Sequence, residues 1–195
     1  MIIVTGGFGF IGSNIVEELN KRKIYNIIIV DKIKISPFKK LKFKKFIFYK
    51  DLSKFFDKKK NIKKIEVIFH QGANSSTVGK DLKKYINDNF LYTKKIIDVS
   101  IKNNIKLIYA SSASVYGINN RYFKESSYPL YPENNYGLSK SLVDYYVLNI
   151  IGKHKKAKIV GLRYFNVYGP NEKHKKRMAS VIFNFRKQLV IDKKI

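Results

Sequence analysis

In the run NNYGLSK, Tyr136 and Lys140 stand four residues apart, so on a helix both side chains project from one face. A free phenol is a poor base, with a pKa of about 10, and a fixed ammonium beside it favours the phenolate. Such a pair is suited to take a proton from a sugar hydroxyl while hydride leaves the carbon. A chain rich in both residue types would also produce the spacing by coincidence. Ser112, in YASSASVYG, adds to the case: it ends a predicted strand, where open α/β sheets bind ligands. Its hydroxyl would bridge a substrate oxygen and Tyr136, or would simply cap the turn that follows.

Hydride chemistry needs a carrier, and the opening residues MIIVTGGFGFIG have the form of a dinucleotide-binding turn. Gly7, Gly9 and Gly12 fit G-x-G-x-x-G, while Gly6, Gly9 and Gly12 fit the wider spacing of three and three. The first glycines permit the turn out of a strand, Gly9 lets a pyrophosphate approach the backbone, and Gly12 lets the next helix pack closely. Unpaired amides at that helix's N-terminus would face the phosphates. Asp31 lies 19 residues beyond Gly12, at the end of the next predicted strand, where it would hydrogen-bond an adenosine ribose. Lys32 beside it would accept the 2′-phosphate of NADP. A ligand-free strand-to-helix turn would use the same glycines.

These residues need a scaffold, and the hydrophobic pattern supplies one. Ile2 to Thr5 and Ile27 to Val30 read as strands buried on both faces. Ile11, Ile15, Val16 and Leu19 recur at helical spacing within a helix from Phe10 to Lys23. The lysine-rich stretch 32–45 around Pro37 reads as a loop or short helix. Further strands are predicted at Phe46 to Tyr49, Glu66 to Phe69, Lys106 to Ala110 and Lys158 to Leu162, with helices over Asp81 to Asn103 and Asn135 to Ile151. The alternation implies an α/β fold, a doubly wound parallel Rossmann sheet with helices on both faces. No linker composition divides residues 1–195, which read as one NADP-binding domain carrying the catalytic residues, without a second complete domain.

Composition removes several alternatives. The 195 residues hold no cysteine, which excludes thiol catalysis, iron–sulfur clusters and cysteine zinc sites. The histidines at 70, 154 and 174 lack metal-ligand spacing, so no metal is expected. No apolar run approaches the roughly 20 residues of a membrane helix and no signal peptide pattern opens the chain, which points to a cytoplasmic location without a membrane partner. The net charge of +26 would suit a polyanion, but lysine carries nearly all of it. Lysine, isoleucine, asparagine, tyrosine and phenylalanine share A+T-rich codons, so genome bias accounts for the surface and no nucleic-acid partner is expected.

The runs TGGFGFIG, SSASVYG and Tyr136-x-x-x-Lys140 resemble the extended short-chain dehydrogenase/reductase superfamily. Within it, FHQGANSST, DNFLYTK, NNYGLSKSLVDYYV and above all IVGLRYFNVYGPNEKHKKRMASV resemble the ADP-L-glycero-D-manno-heptose 6-epimerase family. The resemblance spans the chain and loosens between Lys32 and Lys64. It implies NADP, with NAD second, held by Phe10, Ile11, Asp31, Lys32, the segment Gln71, Gly72, Ala73, Asn74 and Ser75, Asn89 and Lys140. It implies substrate contacts from Asn166 and Val167, a first acid/base at Tyr136 and a second at Lys175. Two carriers suit the implied reaction, in which the heptose C6″ hydroxyl is oxidised, the keto sugar turns, and the hydride returns to the opposite face. The product of that reaction is a lipopolysaccharide core precursor, and the resemblance also implies a homo-oligomer.

Arg177 stands where the family has a small serine touching the substrate, Asn184 where it has histidine, and Gln71 where glutamate is common. The family continues into a smaller C-terminal lobe, whereas this sequence stops at Ile195; the expectation is a chain that binds NADP better than it turns over ADP-heptose. A neighbouring nucleotide-sugar epimerase or dehydratase would share the Tyr136/Lys140 pair without needing Lys175. A basic binding module that has lost catalysis would show salt-dependent nucleic-acid affinity and no cofactor.

Overall fold

The computed structural model describes residues 1–33, 41–118, 123–170, 172, 175 and 179–192. Six strands form one sheet: β1 (Ile2–Thr5), β2 (Ile27–Asp31), β3 (Lys45–Phe48), β4 (Val67–His70), β5 (Lys106–Ser112) and β6 (Ile159–Tyr164). All neighbours are parallel in the order β3-β2-β1-β4-β5-β6. This is the doubly wound parallel sheet that the alternation predicts. The chain leaves β1 for β2 on one side and reaches β4 on the other, so the crevice beyond the carboxyl ends of β1 and β4 is the topological switch point.

Alternate residues of the central strands feed two cores, one on each face. Val4, Ile27 and Ile29 pack with Val16 of α1 (Phe10–Lys21) and with Phe8. Ile3, Ile28, Val30, Ile68 and Leu107 pack on the other side against short helices α2 (Leu52–Phe56) and α3 (Lys59–Ile62) and against the long helices from the second half of the chain. The two short helices lie where the pattern reading offered no element.

The helix expected from Asp81 to Asn103 is there in three pieces. Asp81 caps α4 (Leu82–Tyr85) by accepting the Lys84 amide, a wider π segment covers Ile86–Leu91, and α5 (Tyr92–Lys102) completes it. A π segment adds a residue to the turn without interrupting the apolar face, so hydrophobic spacing alone reads straight through it. Helix α6 (Asn135–Ile151) begins at the residue expected, because the Asn134 side chain accepts the Gly137 amide at 2.8 Å. Helix α7 (Val181–Lys187) was not anticipated and is capped by Ser180. Of the lysine-rich stretch, residues 34–40 lie outside the described set, and 41–44 carry no regular element. No described helix is long and apolar enough to cross a membrane.

Candidate active site

At the switch point the backbone dictates the residues. Gly6 has φ +63°, and a Cβ there would lie 2.7 Å from Gly72; a Cβ on Gly12 would lie 2.1 Å from the Gly6 carbonyl oxygen. The turn is therefore packed against the segment after β4 at a distance only glycine permits. Asp31 steadies it: one carboxylate oxygen accepts the Phe8 amide at 2.9 Å and the other the Lys32 amide at 2.7 Å. The Lys32 ammonium lies 3.4 Å from Asp88 and over the Tyr49 ring.

Beneath the turn runs a buried polar chain that the sequence did not announce. The Gly72 amide donates to the Thr5 hydroxyl, which lies 2.6 Å from His70 Nδ1, and His70 Nε2 lies 2.8 Å from the Thr93 hydroxyl. Burial, with a smaller push from the Lys140 charge, lowers His70 to about 3, so the ring is neutral and gives one threonine a donor and the other an acceptor.

Above the turn opens a cleft of about 520 Å³. Gly6, Gly9, Phe10, Ile11 and Gly12 line one side, with Asp31 and Lys32 at its edge. Gln71, Gly72, Ala73, Asn74 and Ser75 form the floor. Ser112, Tyr136, Lys140, Asn166, Val167 and Lys175 complete it, so residues from widely separated stretches of the sequence meet there. Both polar atoms of the Gln71 amide are buried and make no hydrogen bond of ordinary geometry, although Tyr164 is close by. A buried amide without a partner in a cleft floored by close-packed glycine backbone fits a ligand rich in hydroxyl and phosphate groups, as a dinucleotide is.

Asn89 is the exception among the expected cofactor contacts. Its side chain is 0% exposed and lies behind the cleft: Oδ1 accepts the Asn74 amide at 2.8 Å, and Nδ2 donates to the Asn74 carbonyl at 3.0 Å and to the Ser139 hydroxyl at 2.9 Å. Ser139 in turn donates to the Tyr136 carbonyl at 2.7 Å. The π segment turns Asn89 inward, so it ties the floor to α6 instead of facing the cleft itself.

The Tyr136 hydroxyl lies close to Ser112. Ser112 also accepts the Ser114 amide at 3.1 Å, so it caps the next turn and faces the phenol at once. Lys140 is 3% exposed, donates to the Ala110 carbonyl at 2.7 Å, and places its Nζ 5.9 Å from the centre of the Tyr136 ring. Burial acts on both groups of the pair. Burial raises the phenol above its ordinary value, opposed by the neighbouring Ser112. Burial also lowers Lys140 to about 8, against the pull of Asp144. The ammonium expected to lower the phenol's pKa is itself costly to keep charged.

On the opposite rim, the Lys175 ammonium lies 3.8 Å from Glu172 and 4.6 Å from the centre of the Phe10 ring. Asn166 is exposed and Val167 half-buried. Arg177 lies outside the described residues, and Asn184 on α7 donates to the Ala179 carbonyl. Glu172 escaped the sequence reading; its one signal was an acidic residue within the otherwise basic run NEKHKKRM.

The family described as NAD dependent epimerase/dehydratase matches over residues 2–195. An ADP-L-glycero-D-manno-heptose-6-epimerase from Brachyspira hyodysenteriae is 45% identical over 97% of this chain and 61% of its own length. The crystal structure of the Helicobacter pylori ADP-L-glycero-D-manno-heptose-6-epimerase superposes with a TM-score of 0.77 at 28% identity, over 100% of this chain and 64% of that one. A UDP-N-acetylglucosamine 4-epimerase from Methanobrevibacter ruminantium, in complex with UDP-N-acetylmuramic acid, gives 0.76 at 28% identity, over 97% of this chain and 62% of that one. The chain thus spans about three fifths of the relatives it matches.

Proposed function

This chain belongs to the NAD dependent epimerase/dehydratase family, and we propose that it serves the C6″ epimerisation of ADP-D-glycero-β-D-manno-heptose to the L-glycero form, with NADP in preference to NAD. The observation that carries the reading is the meeting of Tyr136, Lys140 and Lys175 in one cleft with the glycine turn. A simple dehydratase or 4-epimerase gives no reason for the second cation. The identity to the Brachyspira relative supports the choice of substrate. Residues 1–195 act as the cofactor-binding domain of a cytoplasmic homo-oligomer that makes a lipopolysaccharide core precursor.

The glycine turn and the amides that open α1 receive the phosphates, Asp31 the adenosine ribose and Lys32 the 2′-phosphate. Bound in this cleft, the nicotinamide supplies reversible hydride exchange with the sugar carbon. Tyr136 takes the C6″ hydroxyl proton of one epimer, with Ser112 holding the sugar oxygen and the phenol together. Lys140 supports the phenolate from below once the site is closed to water. Asn166 and Val167 hold the sugar nucleotide while it turns, and Lys175 carries the proton for the other epimer.

The test is conversion of the D-glycero epimer in deuterium oxide by the cofactor-loaded chain. Direct hydride return predicts an L-glycero product with ordinary hydrogen at C6″. Deuterium at C6″ would mean proton abstraction from carbon and would refute the mechanism. Lys175→Ala is expected to stop conversion, whereas an enzyme with a single base would be nearly indifferent to it.

A further inference from the structure

Glu172 is 2% exposed, and both its oxygens are committed. One accepts the Gly169 amide at 2.8 Å and the Ser180 hydroxyl at 3.0 Å, and the other accepts the Ser180 amide at 2.6 Å. A single carboxylate therefore joins Gly169, in the segment leaving β6, to Ser180, the residue that caps α7. Lys175, halfway between, directs its ammonium to this same carboxylate.

An exposed lysine–glutamate pair holds little, because both partners are free to turn; Lys21 and Glu18, 3.9 Å apart and both more than half exposed, are such a pair. At Glu172 the acceptor is already immobilised by three neutral donors, so only the lysine has to be ordered. Burial alone would raise its carboxyl pKa, but the amides of Ser180 and Gly169, with the Ser180 hydroxyl and Lys175, hold it below the ordinary range. On the far side of the ammonium stands the ring of Phe10, the first residue of α1. The cation is fixed where the glycine-turn helix meets the segment after β6.

We propose that Glu172 is a positioning residue: by tying Gly169 and Ser180 to one carboxylate it holds the Lys175 ammonium at the cleft, ready to act as the second proton carrier. The inference rests on the epimerase reading for that last role, but the tether itself does not. A glutamine at 172 offers one acceptor oxygen and turns an NH₂ group toward donors, so it loses both the charge and the closure. An aspartate keeps the charge on a shorter arm.

The experiment compares the unsubstituted chain with E172Q and E172D in two readouts. In competitive acetylation by acetic anhydride, read by mass spectrometry, Lys175 is expected to react about threefold faster in E172Q with Lys32 unchanged, and E172D is expected to lie between. Equal Lys175 rates in all three proteins would overturn the tether. In single-turnover reduction of bound NADP by each C6″ epimer, E172Q is expected to slow by about tenfold the direction that Lys175→Ala slows, and to spare the other. Equal loss in both directions would reduce Glu172 to a structural residue and overturn its positioning role. If neither epimer reduces the cofactor in the unsubstituted chain, the epimerase reading fails, and the acetylation result still decides the tether.

Discussion

The two walls of the cleft are built differently. Under the glycine turn, Ile3, Val4, Ile27, Ile29 and Ile68 are fully buried, and close approach of backbone to backbone sets the geometry. Along β6 and α7 the apolar side chains face solvent: Val160, Leu162, Phe165 and Ile182 are exposed, and Val190 is 72% exposed. There the order comes from a few polar ties, Arg163 to Asp144 at 2.9 Å on one side and Glu172 on the other. The cofactor wall is held by packing that tolerates almost no added atom. The substrate wall is held by individual side chains, and its chemistry is accordingly the part that single substitutions can detach.

Removing the phenol gives the largest separation between the two walls. Tyr136→Phe is expected to lower kcat by about 10³-fold and to leave NADP affinity unchanged within about twofold, as measured by steady-state kinetics and calorimetric titration. A parallel loss of cofactor affinity would mean that the phenol belongs to the binding wall.

Acid comes next, through His70. The folded protein keeps this ring neutral down to about pH 3, whereas the unfolded chain takes up a proton near its ordinary value of 6.5. Below that value the unfolded state binds more protons, so stability is lost as pH falls from 6.5 toward 3 and is unaffected by this residue above 6.5. At pH 4.5 the loss is expected to be about 2–3 kcal/mol. Urea unfolding at pH 7 and 4.5 measures it, and His70→Gln should be less stable at pH 7 but lack this share of the acid slope.

Asn89→Ala removes three hydrogen bonds, leaving the Asn74 amide and carbonyl without these partners and the Ser139 hydroxyl with only its bond to the Tyr136 carbonyl. The expected cost is about 2 kcal/mol in urea unfolding, with weaker cofactor binding as the floor loosens. The smallest effect belongs to the other wall: Val190→Ser should change stability by less than about 0.5 kcal/mol. A larger cost there would show that the exposed apolar face is covered in solution.

What could be read from the sequence follows the same division. Gly6 and Gly12 were legible because no other residue fits the turn, and Tyr136 and Lys140 because one helix fixes their relative placement. The parallel sheet followed from the alternation of elements. Asn89 was assigned to the cofactor by the family resemblance, and its inward rotation was not legible because it depends on a π segment that leaves the apolar spacing intact. The burial that raises the phenol and lowers Lys140 was not legible, because burial is a property of the packed site. Glu172 was passed over because its partners Gly169 and Ser180 are neutral, so nothing in their types announces a carboxylate's company.

The account depends on the glycine turn being the seat of a dinucleotide. Calorimetric titration of the chain and of Gly12→Ala with NADP and NAD, followed by mass analysis of the nucleotide retained, tests this most directly. Saturable one-to-one binding with NADP retained, abolished when a methyl group is forced against the Gly6 carbonyl, is the result predicted. Equal affinity in the two proteins, or no saturable binding to the unsubstituted chain, would contradict it.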